Sequence, residues 1–478
     1  MSVINSPILK FSWTKLITLL VLAALVAILV LLPWGMPDAQ RYFDPIGERE
    51  LQKDEAGQLV ATLEEFMKLS HSGDEFNGWN TEHQAFWKYA ISFAAYGLPS
   101  AMIIDPDNKD QYRVAMDNMI WKMKSKKVWQ DFTDRGFGPD PITVQNIMYK
   151  GHLNLMYALY QLSTGDQRYA REFTWLTKNI VEEMNLHHQG FYEGNTCEPN
   201  AWFVECNVIG MLSLHIYDKL YGTQYTQNEV QWSLDFIMDR MRDEETGLFY
   251  RAYIPNHDVV RPQIKGYTNA WVLTFLNVFV PEEMAKSYPG FREHLTLEYG
   301  PYAAARLAIN HKEDQIAQIF ALWAAKEFSD VSLFEKLRNA ADKFGKLQDH
   351  RPSGGLAYAG KNNTIINGVI LGSKLHVGWN TLLNYDWGHK DLPLSIPDTQ
   401  NMTWLDVLPN KIYSQVTMNG LPLHSNQRAC PGCYWGDYQS VRMLKQQAPA
   451  GTVKICPPHV KSASCGLEKL DNLSLIAE

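Results

Sequence analysis

The chain has no surplus of positive charge and gathers little of what it has in one place. Its 44 Lys and Arg against 52 Asp and Glu give a net charge of -8, and the only basic run is Lys122 to Lys127. That leaves no electrostatic footprint for nucleic acid, and the run reads as the solvated end of a helix. Cysteine is scarce too, with six in 478 residues. Four of the six lie late, as Cys430-Pro-Gly-Cys433, Cys456 and Cys465. They fit two disulfides, a zinc site or a redox dithiol, but no strand-helix pattern surrounds them to support a thioredoxin-type motif, and outside the cytosol disulfides are the expectation. Wholesale disorder is excluded by 46% hydrophobic and 12% aromatic content. The length suffices for one large core or two ordinary ones.

From Leu16 to Leu32 the residues are apolar except for Thr18, and Pro33-Trp34 follows where an interface would lie. With its flanks this run is long enough to span a bilayer. Lys10 and Lys15 precede it and Asp38 follows, which puts the N-terminus in the cytosol and the main body on the other side, in the endoplasmic reticulum lumen or its equivalent. No small-x-small cleavage site follows the run, so an uncleaved single-pass anchor is expected in preference to a signal peptide. The sequons at Asn362, Asn401 and Asn472 are compatible with a glycosylating lumen.

The body reads as helix after helix, over about 57 to 70, 82 to 101, 109 to 127, 142 to 163, 167 to 184, 199 to 221, 226 to 242, 267 to 279, 290 to 308, 313 to 328, 331 to 347 and 366 to 384. Breaks at Gly165, Gly222 and Gly247 recur at an interval that suits antiparallel helix pairs, and such pairs repeated around a ring close into an all-α barrel. A hairpin is expected near Gly247 to Tyr253, capping one mouth. Beyond about residue 385 the texture turns Pro-rich. The expected division is therefore an anchor segment at 1–37, a barrel at 38–385 and an appended tail at 386–478.

Chemistry gathers in Gly194-Asn-Thr-Cys-Glu-Pro-Asn-Ala-Trp-Phe-Val-Glu-Cys-Asn207. Pro199 suits a first helical position, so a helix over 199 to 221 would leave Cys197 just outside the positive end of its dipole and Cys206 about two turns in, as two thiols able to exchange protons. Small core hydrophobes or a disulfide are the alternatives. His152 lies four residues from both Met148 and Met156, on one helix face. Alone, such a histidine is more often structural.

Three segments change the weight of these residues: Asn146 to Tyr157 with Tyr-Lys-Gly-His152, the Cys197 to Cys206 segment, and Gly266-Tyr-Thr-Asn-Ala-Trp271. In order and spacing they resemble the linalool dehydratase/isomerase family of cofactor-free enzymes acting on small terpene alcohols. Lys88 to Leu98, Ile104-Asp-Pro106, Gly136 to Ile142 and Lys374-Leu-His-Val-Gly-Trp379 extend the likeness to roughly residues 60 to 385. The resemblance implies an (α/α)6 barrel of six helical hairpins around an apolar pocket. It also implies that His152, Cys197, Cys206 and Tyr267 line that pocket as catalytic residues, with Tyr89 and Met148 in its wall. Trp271 and Trp202 join them as substrate-binding aromatics whose π faces could stabilise positive charge. Phe203 reads as core.

The resemblance further implies an acidic residue near the domain start that reaches into a neighbouring subunit, and hence a homo-oligomer. Here Glu64 or Glu65 stands in place of the family's aspartate, without the tyrosine that accompanies it. Ser125 stands where the family has one cysteine of a stabilising disulfide. The expected activity is that of a lyase or isomerase that dehydrates, hydrates or rearranges an isoprenoid alcohol without a cofactor or metal. A carbohydrate-active barrel is the alternative, its paired carboxylates drawn from Asp140 and Glu198 or Glu205. A terpenoid cyclase and an anchored, non-catalytic binding module complete the readings.

Overall fold

The computed structural model describes residues 20–22, 38–67, 76, 83–350, 354–360, 363–408, 415–418, 421–423, 452–456 and 466–469. The expected anchor, Leu16 to Leu32, lies largely outside these residues, as do Cys430, Cys433 and Cys465. Among the described residues no helix is long and apolar enough to cross a membrane.

In chain order the helices are α1 (Lys53–Met67), α2 (Trp87–Ile104), α3 (Lys109–Lys124), α4 (Lys126–Asp134), α5 (Ile147–Thr164), α6 (Ala170–His187), α7 (Val204–Tyr221), α8 (Gln231–Arg240), α9 (Gly266–Leu276), α10 (Pro281–Leu295), α11 (Gln315–Glu327), α12 (Val331–Phe344), α13 (Asn363–Leu375) and α14 (Trp379–Asn384). Among the described residues α2, α5, α7, α9, α11 and α13 contact one another in sequence, and α13 returns to α2, so these helices form a closed inner ring. Outside it lie α3, α6, α8, α10 and α12, each following its inner partner. The sixth outer position belongs to α1, which packs on α13 and α3. The barrel is thus five consecutive hairpins plus one assembled from the two ends of the domain.

Helix boundaries follow local chemistry. Asn146, Asp314 and Asp330 accept hydrogen bonds from the first turns of α5, α11 and α12, and Gly165 and Gly222 end α5 and α7 in left-handed conformations that favour glycine. The inner ring closes where side chains are missing. A Cβ on Gly97 would lie 2.7 Å from the Cα of Gly372, and one on Gly151 would lie 3.2 Å from the backbone nitrogen of Gly210. Glycine at both contacts lets α2 approach α13, and α5 approach α7, backbone to backbone.

A buried ion network ties the first helix to the last of the inner ring. The Lys374 ammonium on α13 lies 2.7 Å from Asp54 and 3.4 Å from Asp342, and Asp54 also accepts a 2.6 Å bond from the Tyr42 hydroxyl. The rest of the Lys374 to Trp379 segment seals the far end of the barrel: His376 lies 2.5 Å from Glu327, which also accepts from the Trp379 backbone N–H.

Short antiparallel hairpins precede several inner helices. They are β1 (Trp202–Phe203) with β2 (Ala252–Ile254) and β3 (Val259–Arg261), β4 (Thr296–Tyr299) with β5 (Tyr302–Ala305), and β6 (Leu347–His350) with β7 (Gly355–Tyr358). The hairpin expected near 247 to 253 is present as β2 and β3, slightly later in the chain. The helix expected over 290 to 308 is not. It ends at Leu295 and gives way to β4 and β5, because Gly300-Pro301 makes the turn a helix cannot.

The tail's first stretch lies at the end opposite these hairpins. His389 bonds the Leu162 carbonyl, Leu394 N–H the Leu220 carbonyl and Lys178 the Thr399 hydroxyl. Residues 386–408 therefore run along the C-terminal ends of α5 and α7 and do not cover the mouth. Further on, β8 (Gln415–Met418), β9 (Leu421–Leu423), β10 (Thr452–Cys456) and β11 (Gly466–Lys469) form a sheet ordered β11-β10-β8-β9.

Candidate active site

All six inner helices run parallel, so equivalent turns form layers across the barrel. The second or third residues of four of them are Tyr89, Met148, Glu205 and Tyr267; one to two turns deeper come Phe93, His152, Trp271 and Phe320; deeper still lie Tyr96, Phe275 and Trp323. A turn is about 5.4 Å of rise, so the aromatic floor sits roughly one to two turns beneath the rim.

His152 is the hub of the middle layer. Its ring lies 5.4 Å from Tyr89, 5.5 Å from Phe93 and 5.5 Å from Trp271, all near edge-on. The glycine contact between Gly151 and Gly210 presses one face of α5 against α7, and His152, the next residue along, turns into the ring. The imidazole is fully buried, and burial, aided by the nearby Lys88 ammonium, pushes its pKa down to about 3. It is therefore a neutral hydrogen-bonding group. Nδ1 meets the Tyr96 hydroxyl at 2.7 Å, whereas Nε2 has no hydrogen-bond partner among the described residues. Trp271 Nε1 is in the same condition.

The rim carries the charge. Val204 N–H bonds the Arg251 carbonyl, which holds the start of α7 beneath β2 and sets the Arg251 guanidinium beside Glu205, Nε to Oε1, at 3.3 Å. Arg251 also lies 4.5 Å above the Phe203 ring and 5.7 Å from that of Tyr267. Glu205 is only 4% exposed, and burial raises its carboxyl pKa while Arg251 opposes the rise. On the other side of the rim the buried Lys88 meets Asp131 at 3.3 Å, and Arg135 bridges Asp131 to Glu198.

Several expectations are corrected here. Cys197 and Cys206 form a disulfide, with Cα atoms 6.2 Å apart, and a disulfide has no proton to exchange. Nor does the dipole argument hold, because α7 begins at Val204, not Pro199; Cys197 lies in the loop before it and Cys206 in its first turn. That loop is fastened independently by paired Asn195–Asn207 bonds of 2.9 and 3.0 Å and by the Thr196 hydroxyl on Gln145 at 2.6 Å. Trp202 faces outward: its N–H bonds the Glu193 carbonyl and its ring meets Phe236 of α8 at 5.1 Å. Within their own chain Glu64 and Glu65 are half-buried on the outer helix α1, where Glu65 lines a cavity with Thr62, Asn363 and Asn367, apart from the His152 cluster; the role expected of them in a neighbouring subunit is a separate matter.

One carboxylate of the carbohydrate-active alternative, Asp140, is committed elsewhere. Asp140 accepts from the Ile142 and Thr143 amides at 2.8 and 2.7 Å and from the Thr143 hydroxyl, which makes it a turn former. A cavity of about 300 Å³ between α11, α12, β5 and α13, walled by Ala303, Ile319, Ala340, Phe344 and Ile370, shares no residue with the His152 cluster.

The linalool dehydratase/isomerase family matches over residues 88–175 and 171–364, more than half of the chain and the inner ring from α2 through α11. The chain belongs to this family. Distant likenesses to solved structures also exist. A family 105 glycoside hydrolase of C. acetobutylicum is 14% identical with a TM-score of 0.45, covering 68% of this chain and 99% of that one. A family 76 α-mannanase of Bacteroides thetaiotaomicron is 12% identical with a TM-score of 0.47, covering 70% and 98%. Within the family frame, the residues that sequence reasoning missed are Phe93, Tyr96, Phe320, Arg251 and the structural partner Glu327. The sequence points to the Glu205 carboxyl only for carbohydrate chemistry, because a helix from Pro199 would leave it about two turns in, whereas α7 begins at Val204 and puts it in the first turn.

Proposed function

We propose that this chain is a lyase or isomerase that works on an isoprenoid alcohol by acid–base chemistry, using no cofactor. The observation that carries the reading is the neutral His152, ringed by Tyr89, Phe93 and Trp271, with Nε2 left without a partner in an aromatic interior. Removing a hydroxyl from an allylic or tertiary carbon needs a proton for the leaving oxygen and a dry, electron-rich surround for the cation that forms. Aromatic faces offer about 1 kcal/mol or more each to such a cation. In this reading His152 Nε2 holds the substrate hydroxyl, Tyr89, Met148 and Tyr267 form the upper wall, and Trp271 and Phe93 form the floor. A hydrocarbon substrate suits this lining better than a sugar, whose many hydroxyls would lack partners. Membrane anchoring of the N-terminal segment and assembly into a homo-oligomer remain part of the proposal.

The test is direct. Full-length protein incubated with a panel of acyclic prenyl alcohols is expected to release dienes, rearranged alcohols or both, read by gas chromatography. Cyclic products would assign a cyclase instead. No turnover of the prenyl panel, with release of sugars from a panel of glycosides, would overturn the reading.

A further inference from the structure

We propose that Glu205 is the acid of this site, donating its proton from Oε2 to the substrate hydroxyl and recovering one from the adjacent carbon. The inference rests on the isoprenoid-alcohol reading above. Four observations carry it. Glu205 occupies the second position of an inner helix, level with Tyr89 and Tyr267, with both of which it interacts electrostatically. It is almost wholly buried. Arg251 holds Oε1, so a proton on the carboxyl belongs on Oε2. Finally, Oε2 is buried and has no well-aligned hydrogen-bond partner among the described residues, the Thr268 hydroxyl beside it being a weak, off-line donor. A buried carboxyl oxygen left this way has room for a better partner, such as a substrate hydroxyl.

Burial favours the neutral carboxyl and supports the same assignment. The alternatives are poorer. Cys197 and Cys206 are joined, His152 is held neutral, and Glu64 and Glu65 lie on an outer helix, away from the pocket of their own chain. Charge balances within a single residue. The Oε2 proton passes to the hydroxyl oxygen, and the carbon–oxygen bond breaks with its electron pair leaving in water. The carboxylate then takes a proton from the carbon next to the cationic centre as the new double bond forms, which restores the acid. Alcohol becomes alkene and water with no outside reagent. In an allylic rearrangement the same carboxylate instead takes its proton from water as that water adds at the other end of the allyl cation.

Glu205→Gln keeps the size and the Arg251 contact but carries no labile acid proton. For an alcohol that the wild type turns over, kcat is expected to fall about 10²- to 10⁴-fold with KM within about threefold, because the proton is needed only in the transition state. Glu205→Asp, which keeps the acid but withdraws it by one methylene, is expected to recover part of the loss, as a merely structural partner of Arg251 would not. Near-wild-type kcat in Glu205→Gln would overturn the proposal. If the wild type turns over no isoprenoid alcohol, the functional reading has failed, and the protonation of Glu205 is then read alone. Difference infrared spectra of wild type against Glu205→Gln at neutral pH are expected to show a protonated carboxyl band, and an ionised carboxylate there would overturn the assignment.

Discussion

The Tyr96 hydroxyl lies 2.7 Å from Nδ1 of His152 and 3.3 Å from the carbonyl oxygen of the same residue. One hydroxyl thus spans ring and backbone, fixing the imidazole plane while Nε2 stays free to meet a substrate. Removing it by Tyr96→Phe is expected to cost about 1 kcal/mol of stability and to lower turnover about tenfold, because the ring loses its orientation and not its chemistry. Chemical denaturation and steady-state kinetics on the same preparation check this. Unchanged kinetics would mean the rings around His152 suffice to hold it.

The depressed pKa of His152 gives a signed pH dependence. The unfolded chain binds a proton on this residue below about pH 6.5, whereas the folded chain resists it down to about 3. Stability from this group is therefore complete above about pH 6.5 and drains away as pH falls toward 3, by about 2 kcal/mol at pH 5. Urea titrations at pH 7 and pH 5 should show wild type losing more than His152→Gln by roughly that amount. Equal losses would remove the buried neutral histidine from the account.

The Cys197–Cys206 disulfide closes a short loop that Asn195, Thr196 and Asn207 also hold. Reduction is expected to lower Tm, at a cost of about 2 to 3 kcal/mol, without loss of helical circular dichroism. Oxidised protein is expected to turn over substrate, since Glu205 supplies the acid. Turnover that appears only after reduction would return the thiols to the chemistry.

Lys374 joins the two ends of the barrel through Asp54 and Asp342. Lys374→Met leaves the buried Asp54 and the partly buried Asp342 without their shared ammonium, and a loss of about 3 to 5 kcal/mol is expected. Limited proteolysis should then cut near α1 first. A stability change under about 1 kcal/mol would show that the ring closes without the pair.

Gly97→Ala tests the glycine contact of α2 with α13. The added methyl meets backbone and not a side chain that can turn away, so about 1 to 3 kcal/mol of overpacking strain is expected, read by thermal melts. A neutral result would mean the helices separate at little cost.

The inner ring was largely legible in the sequence because its helices end in local signals, such as Asn146 ahead of α5 and Gly165 and Gly222 after α5 and α7. His152, Tyr89, Tyr267 and Trp271 were legible because they sit on motifs long enough to carry a register. Pro199 misled because a proline that fits a first helical turn fits the turn before β1 equally well. The Cys pair could not be read as bonded or free from spacing, since that depends on how the loop folds back over α7. The pairing of Glu205 with Arg251 spans 46 positions and joins a helix start to the residue before a strand, and no local pattern announces it. Likewise α1 reads as an amphipathic helix of unknown partner until the ring shows the vacancy it fills.

Six parallel helices also give the barrel a direction. Every N-terminus of the inner ring opens on the same end, and each carries roughly half a positive charge within its first turn. The rim therefore favours electron-rich groups, whereas a cation is repelled from it and drawn down among the ring faces of Phe93, Trp271 and Phe320. For an alcohol pulled apart there, oxygen leaves upward and positive charge moves inward. Nothing in the substrate need specify that orientation; the chain's winding has already set it.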